Sequence, residues 1–245
     1  MHKLKTFLFI FGVIVISNRV LAEGTVVSAD FSSIYWMESE RGSGAAQLEA
    51  PDLYFQEGQT YRLLEPYLSQ LGPAMNYHGP SQMILYRRQL DDEGLWQYLP
   101  ALTVQLPSTN RFLLFLAESK NQPSSVTAAA IDISANSIPA GQIGLLNLTR
   151  ESLAADLRGD RQTLSPLKLE VFTPKEHDDV NSLPLRIAVF KEEWKPVYAT
   201  VTRINPDRPY LMVFYLAGSR EGAYRMRIFR NIEQVRTVPP TLEED

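Results

Sequence analysis

The chain has 245 residues, with 24 Lys and Arg against 28 Asp and Glu, a formal net charge of −4, and no cysteine. That acidic balance excludes a general binder of nucleic acid or anionic membranes, which needs a basic face. The missing cysteines remove thiol nucleophiles, thiolate metal sites, haem attachment and disulfides together.

Residues 1–22 read as a secretory signal. His2, Lys3 and Lys5 make a basic start, Phe7 to Ile16 is apolar throughout, and Val20-Leu21-Ala22 fits a signal-peptidase site. Ser17, Asn18 and Arg19 end the apolar run well short of the roughly 20 residues that span a bilayer. The expected mature protein is cleaved after Ala22, is periplasmic or secreted, and has no transmembrane segment. Losing Lys3, Lys5 and Arg19, with no acid in the signal, takes the net charge from −4 to −7.

The mature chain reads as strands. Thr25-Val26-Val27 and Ser33-Ile34-Tyr35-Trp36 come first, then a loop at Arg41-Gly42-Ser43-Gly44, Leu53-Tyr54-Phe55, a turn at Glu57-Gly58, and Thr60 to Leu64. Pro66 to Pro80 holds three prolines and two glycines and predicts a long irregular connection. Gln82 to Arg87, Ala101 to Leu106 and Arg111 to Leu116 complete a first set. Glu118 to Ser125 lacks large apolar residues, contains Pro123, and predicts a linker.

A second set of strands follows at Val126 to Ile133, Gln142 to Leu148, Leu167 to Phe172, Leu185 to Phe190, Tyr198 to Ile204, Pro209 to Leu216 and Ala223 to Phe229. Thr149 to Ala155 is the one helix-like stretch, or a loop with a single turn. Glu243-Glu244-Asp245 closes an acidic tail.

The two sets echo each other. LWQYLPALTVQLPSTNRFLLFLA, from Leu95 to Ala117, and EWKPVYATVTRINPDRPYLMVFYLA, from Glu193 to Ala217, each run through Trp, Pro, an alternating strand and a dense apolar strand ending in Leu-Ala. A repeat of about 100 residues is the size of one small β-sandwich. Phe112 to Leu116 and Tyr210 to Leu216 are apolar at every position, so neither face of either strand suits water. Domain–domain contact or self-association is expected to cover them. By contrast Tyr224, Met226 and Ile228 alternate with Arg225, Arg227 and Phe229, predicting one core face and one wet face.

Catalytic signals are absent. No Gly-x-Ser-x-Gly, phosphate-cradling Gly-x-x-x-x-Gly-Lys or His-Glu-x-x-His occurs. His78 and His177 read as surface-loop residues, and Asp91-Asp92-Glu93 and Glu176-His177-Asp178-Asp179 as solvated charge without the Asp-x-Asp-x-Asp-Gly pattern of a calcium loop. Gly141-Gln142-Ile143-Gly144 reads as a turn, and Asn147-Leu148-Thr149 as a glycosylation sequon in spelling. Trp36, Trp96 and Trp194 are assigned to cores, with sugar stacking as the rival role. The arginines at 220, 225, 227 and 230 form a basic strip that suits a solubilising edge, with an acidic polymer or the chain's own acidic tail as the alternatives.

The segments Ile138-Pro-Ala-Gly-Gln through Asn147-Leu-Thr and Trp194-Lys-Pro-Val-Tyr resemble those of uncharacterised exported bacterial proteins with immunoglobulin-like β-sandwich domains. The resemblance implies a fold and carries no activity. The expectation is therefore an all-β chain: two tandem immunoglobulin-like β-sandwich domains after a cleavable signal peptide at 1–22. The domains span 23–119 and 126–232, with a linker at 120–125 and the tail at 233–245. The expected role is a non-enzymatic envelope or periplasmic protein making structural or protein–protein contacts, including strand addition at an open edge. A carbohydrate-binding module and a glycan hydrolase at the domain junction are the alternatives. No catalytic residue, cofactor or metal site is assigned.

Overall fold

The computed structural model describes residues 25–36, 50–68, 70–118, 126–174, 182–190, 192–205, 207–216, 224–230 and 232. The expected signal peptide at 1–22, the expected linker at 120–125, His177 with its acidic neighbours, Arg220 and the expected tail at 233–245 lie outside these residues.

The described chain is all β. The first half contains β1 (Val26–Trp36), β2 (Leu53–Glu57), β3 (Thr60–Leu64), β4 (Tyr67–Leu68), β5 (Met75–Pro80), β6 (Gln82–Leu90), β7 (Trp96–Gln105), β8 (Arg111–Glu118) and β9 (Val126–Asp132). The second contains β10 (Ile143–Asn147), β11 (Leu153–Leu157), β12 (Asp160–Leu164), β13 (Leu169–Phe172), β14 (Ser182–Phe190), β15 (Trp194–Arg203), β16 (Tyr210–Leu216) and β17 (Tyr224–Arg230). In each half two sheets face each other. The inner sheets run β4-β1-β8-β9, with β5 also on β1, and β13-β10-β16-β17; the outer sheets run β3-β2-β6-β7 and β12-β11-β14-β15.

The halves are the same design. In each, the first strand lies parallel to the penultimate one, β1 to β8 and β10 to β16. In each, a two-residue turn joins the next hairpin, Leu53 opposite Leu64 and Leu153 opposite Leu164. Gly58 (φ 61°) and Arg158-Gly159 (φ 55° and 90°) supply the positive φ that such turns need. In each, the long hairpin has a bulge beside a proline: Pro100 opposite Tyr86 and Pro196 opposite Ala188. The inner strands even share a buried polar rung, Ser33 opposite Leu114 and Asn147 opposite Phe214.

Period-two alternation then builds three cores rather than two. On β8, Phe112, Leu114 and Leu116 point into the first sandwich, while Leu113 and Phe115 point the other way. On β16, Tyr210, Met212 and Phe214 point into the second sandwich, while Leu211 and Val213 turn outward. Those outward residues meet, joined by Ile34, Trp36 and Leu146, in a third buried cluster between the inner sheets. Trp36 sits edge-on to Tyr215 at 4.5 Å. The faces that suit no solvent cover each other, giving four stacked layers.

Several expectations are corrected. Pro66 to Pro80 is not irregular: it contains β4 and β5, because Met75 and Tyr77 alternate into the core against β1. Thr149 to Ala155 holds no helix; β11 starts at Leu153, and Leu153, Ala155 and Leu157 are buried in strand alternation. The arginine face of β17 is only partly wet, since Phe229 belongs to the inter-sheet core. Asn147, the asparagine of the spelled sequon, takes a structural role. It is fully buried, its amide donating to the carbonyls of Glu151 (2.8 Å) and Leu164 (2.9 Å) and its Oδ1 accepting from the backbone N–H and hydroxyl of Thr149.

The shared core makes the halves one cooperative unit. Leu113→Ala should cost roughly 2–5 kcal/mol in urea unfolding, as deletions at collapsed core sites do. Wild type should melt in one calorimetric transition and Leu113→Glu in two, because an inter-sheet charge separates the halves; two transitions in wild type would contradict the shared core.

Candidate functional site

Because the halves share a topology, each is the control for the other, and chemistry beyond the fold shows where they differ. The largest difference is the solvent face of the first outer sheet. Tyr54, Tyr61, Tyr86 and Tyr98 stand there, one from each of β2, β3, β6 and β7, with Arg88 and Trp96. The equivalent positions of the second half are Ala154, Arg161, Ala188 and Trp194, with Phe190 in place of Arg88.

The aromatic rings close over the sheet. Tyr61 on one edge strand and Tyr98 on the other reach across the two central strands and stack at 4.0 Å with 6° between planes. Tyr54 is buried beside them, edge-on to Tyr98 at 5.1 Å, and Tyr86 is edge-on to Tyr61 at 4.9 Å. The Arg88 guanidinium lies 4.3 Å over Trp96 and 5.6 Å over Tyr54, a cation–π bridge between the slab and the hairpin tip. Burial, and secondarily Tyr61, raises the Tyr86 phenol above its ordinary value.

Beyond the slab, the end of the β6–β7 hairpin exposes apolar residues on either side of its acidic turn, Asp91-Asp92-Glu93. Leu95 is 61% exposed and Trp96 56%, with Leu90 and Leu99 also open to water. The second hairpin ends sooner, at Phe190 opposite Trp194, a rung equivalent to Arg88 opposite Tyr98. Trp96 and Trp194 are therefore not equivalent despite the sequence echo, and neither is a core residue. Trp194 is 46% exposed, whereas Trp36, at 3%, does fill the inter-sheet core.

Asp91 sets the tip's shape. Its Oδ1 accepts from the backbone N–H of Leu95 (2.8 Å) and Glu93 (3.0 Å), and its Oδ2 from Gln97 (2.8 Å). These bonds, that of Leu95 foremost, hold its carboxyl below the ordinary value. The Asp91-Asp92-Glu93 cluster is thus partly a structural clasp, which a reading as solvated charge misses.

Other sequence-flagged residues do not converge. His78 is exposed on β5, and Arg225, Arg227 and Arg230 lie along β17. Gly141 takes a turn conformation (φ 78°) ahead of β10, as its sequence suggests. Among the described residues no group of three His, Cys, Asp or Glu is placed to hold a metal, and no helix is long and apolar enough to cross a membrane. Two open depressions are lined by described residues. One, of about 530 Å³, has Asp132 as the one carboxylate among its described lining residues, bonded to the Thr109 hydroxyl and the Ser134 backbone N–H. The other, of about 340 Å³ beside Tyr86 and His78, has none among the described residues. Neither holds the carboxylate pair of a glycosidase. No protein-family model matches this chain, and no curated protein shows significant similarity to it.

The Asp91 clasp has a definite pH dependence. Since folding lowers its pKa, the clasp is intact above the ordinary carboxylate range and is lost as pH falls through the lowered value. The Leu95 amide resonance should titrate with a midpoint below that of an unstructured aspartate, and Asp91→Asn should abolish the titration. A midpoint at or above the unstructured value would refute the clasp.

Proposed function

We propose that the mature protein is an exported, non-enzymatic component of the envelope or periplasm. It binds a partner protein through the aromatic face of its first outer sheet and the β6–β7 tip. The supporting observation is the combination at that face: tyrosine, tryptophan and arginine are the residues that anchor protein interfaces, and here they adjoin a tip of exposed leucines. Their mutual stacking fixes the rings in advance, which lowers the ordering cost of binding.

The same aromatics suit a sugar less well. A glycan needs a ring face lying open to it, whereas Tyr61 and Tyr98 spend a face on each other and Trp96 spends one on Arg88. In this reading residues 1–22 direct export with cleavage after Ala22, and the two sandwiches, at 23–119 and 126–232, are immunoglobulin-like modules. The paired sheets and the parallel first strand of each half are compatible with that type.

Two measurements test this reading. The protein recovered from the producing cell should have the mass of a chain starting at Glu23; a retained 1–22 segment would contradict export by cleavage. A photo-reactive residue at Leu95 should cross-link to one protein in those cells, with at least tenfold less adduct after Trp96→Ala and none from the same group at Arg161. Glycan binding by the purified protein that disappears on Tyr98→Ala, with no protein adduct, would replace this reading with the carbohydrate-binding one.

A further inference from the structure

A second surface, remote from the aromatic slab, emerges from the same comparison of halves. The last strand of each inner sheet is an edge, β9 in the first half and β17 in the second. In the first half β9 runs closely alongside β7 of the outer sheet, and its inward residues are Ala128, Ala130 and then Asp132. In the second half β17 nears β15 over a shorter stretch, and the equivalent residues are Tyr224, Met226 and Ile228. Small or polar groups have thus been exchanged for large apolar ones on the more open side. Met226 and Ile228, with Val197 and Tyr198 of β15, border the second core only partly buried.

Edge strands are ordinarily guarded. On the neighbouring edge strand β15, Pro196 and the bulge beside it serve that purpose. β17 has neither proline nor glycine, and its register with β16 is unbroken over seven rungs. What it has instead is charge: Arg225 and Arg227 alternate with Met226 and Ile228, and Arg230 follows.

We propose that the edge of β17 that pairs with no described strand accepts an extended segment of a partner protein as a fifth strand, apolar at alternate positions and acidic between them. The backbone ladder would supply affinity, as in strand addition generally. Apolar side chains would lie beside Met226 and Ile228, and carboxylates beside Arg225 and Arg227. Charge decides among occupants. A second copy pairing through β17 sets arginines against arginines, which cross-strand neighbours disfavour. The chain's own acidic tail carries Pro239-Pro240, two consecutive residues without the N–H a ladder requires. The site is independent of the aromatic face, so either can fail without the other.

The test uses the full mature chain and a fluorescein-labelled octapeptide alternating valine and glutamate, followed by anisotropy. Saturable binding is expected, weakened at least tenfold by the double substitution Arg225→Glu/Arg227→Glu, at one exposed and one half-buried position, and unchanged by Trp96→Ala. A valine–lysine octapeptide, and one with proline at alternate positions, should not bind. Hydrogen exchange should slow at residues 224–230 when the peptide is bound. Absence of saturable binding, equal binding of the lysine peptide, or protection of β9 instead of β17 would each overturn the proposal. So would binding seen only after truncation beyond Ile232, since the tail would then be the occupant.

Discussion

The structure depends on two strands that have no polar face. An ordinary sandwich strand alternates, and the outward half of its residues pays for its exposure in polar side chains. β8 and β16 do not alternate: Leu113 and Phe115, and Leu211 and Val213, are as buried as the residues between them. A sandwich ending in such a strand would hold apolar surface against water along its whole inner sheet. Matching one such surface with another removes both at once, at roughly 25 cal/mol for each Å² covered. The two modules are in this sense incomplete separately. No disulfide reinforces them, and the middle core ties one half to the other.

Two halves built on one pattern keep the fold constant, and their differences become informative. Turn length, the bulge beside a proline and the parallel first strand recur, so they belong to the scaffold. The tyrosine slab, the longer β6–β7 hairpin and the large apolar residues of β17 occur in one half only. A scaffold needs none of them, since the sister module folds without them. Ser33 and Asn147 show the same divergence inside the core: the Asn147 side chain makes four hydrogen bonds, while the buried Ser33 hydroxyl has no partner among the described residues.

Much of the architecture was legible because it is written at period two. The apolar runs at Phe112–Leu116 and Tyr210–Leu216 announced a covered face, and the structure supplies the cover. The strand content followed from short apolar runs between Pro, Gly, Asn and Asp. What misled was local chemistry with a non-local answer. Prolines at 66, 73 and 80 suggested an irregular segment, yet β5 forms because β1 offers it a ladder. The echo of Trp96 and Trp194 suggested equivalence, but a hairpin six residues shorter between equivalent rungs shifts the second tryptophan onto the rung of Tyr98. The tyrosine slab was illegible for another reason: its members are scattered from 54 to 98, and only sheet order brings 61 beside 98.

The middle core also fixes which way the molecule presents its chemistry. Trp36 pairs with Ala117 at the far end of β8 and packs on Tyr215, near the far end of β16. Those two strands therefore run in the same direction through the stack. A five-residue loop after β7 leads into β8, so β7 begins at the end where β8 finishes; the same reasoning places the start of β15 where β16 finishes. Both long hairpins consequently turn at one end of the four layers, the tip bearing Leu95 and Trp96 in one outer sheet and that bearing Phe190 and Trp194 in the other. With sheets about 10 Å apart, three spacings separate them by about 30 Å. The contact that rescues two greasy strands from water thus also sets two aromatic tips on a common side. A partner engaging the first tip approaches the end at which the second is already exposed.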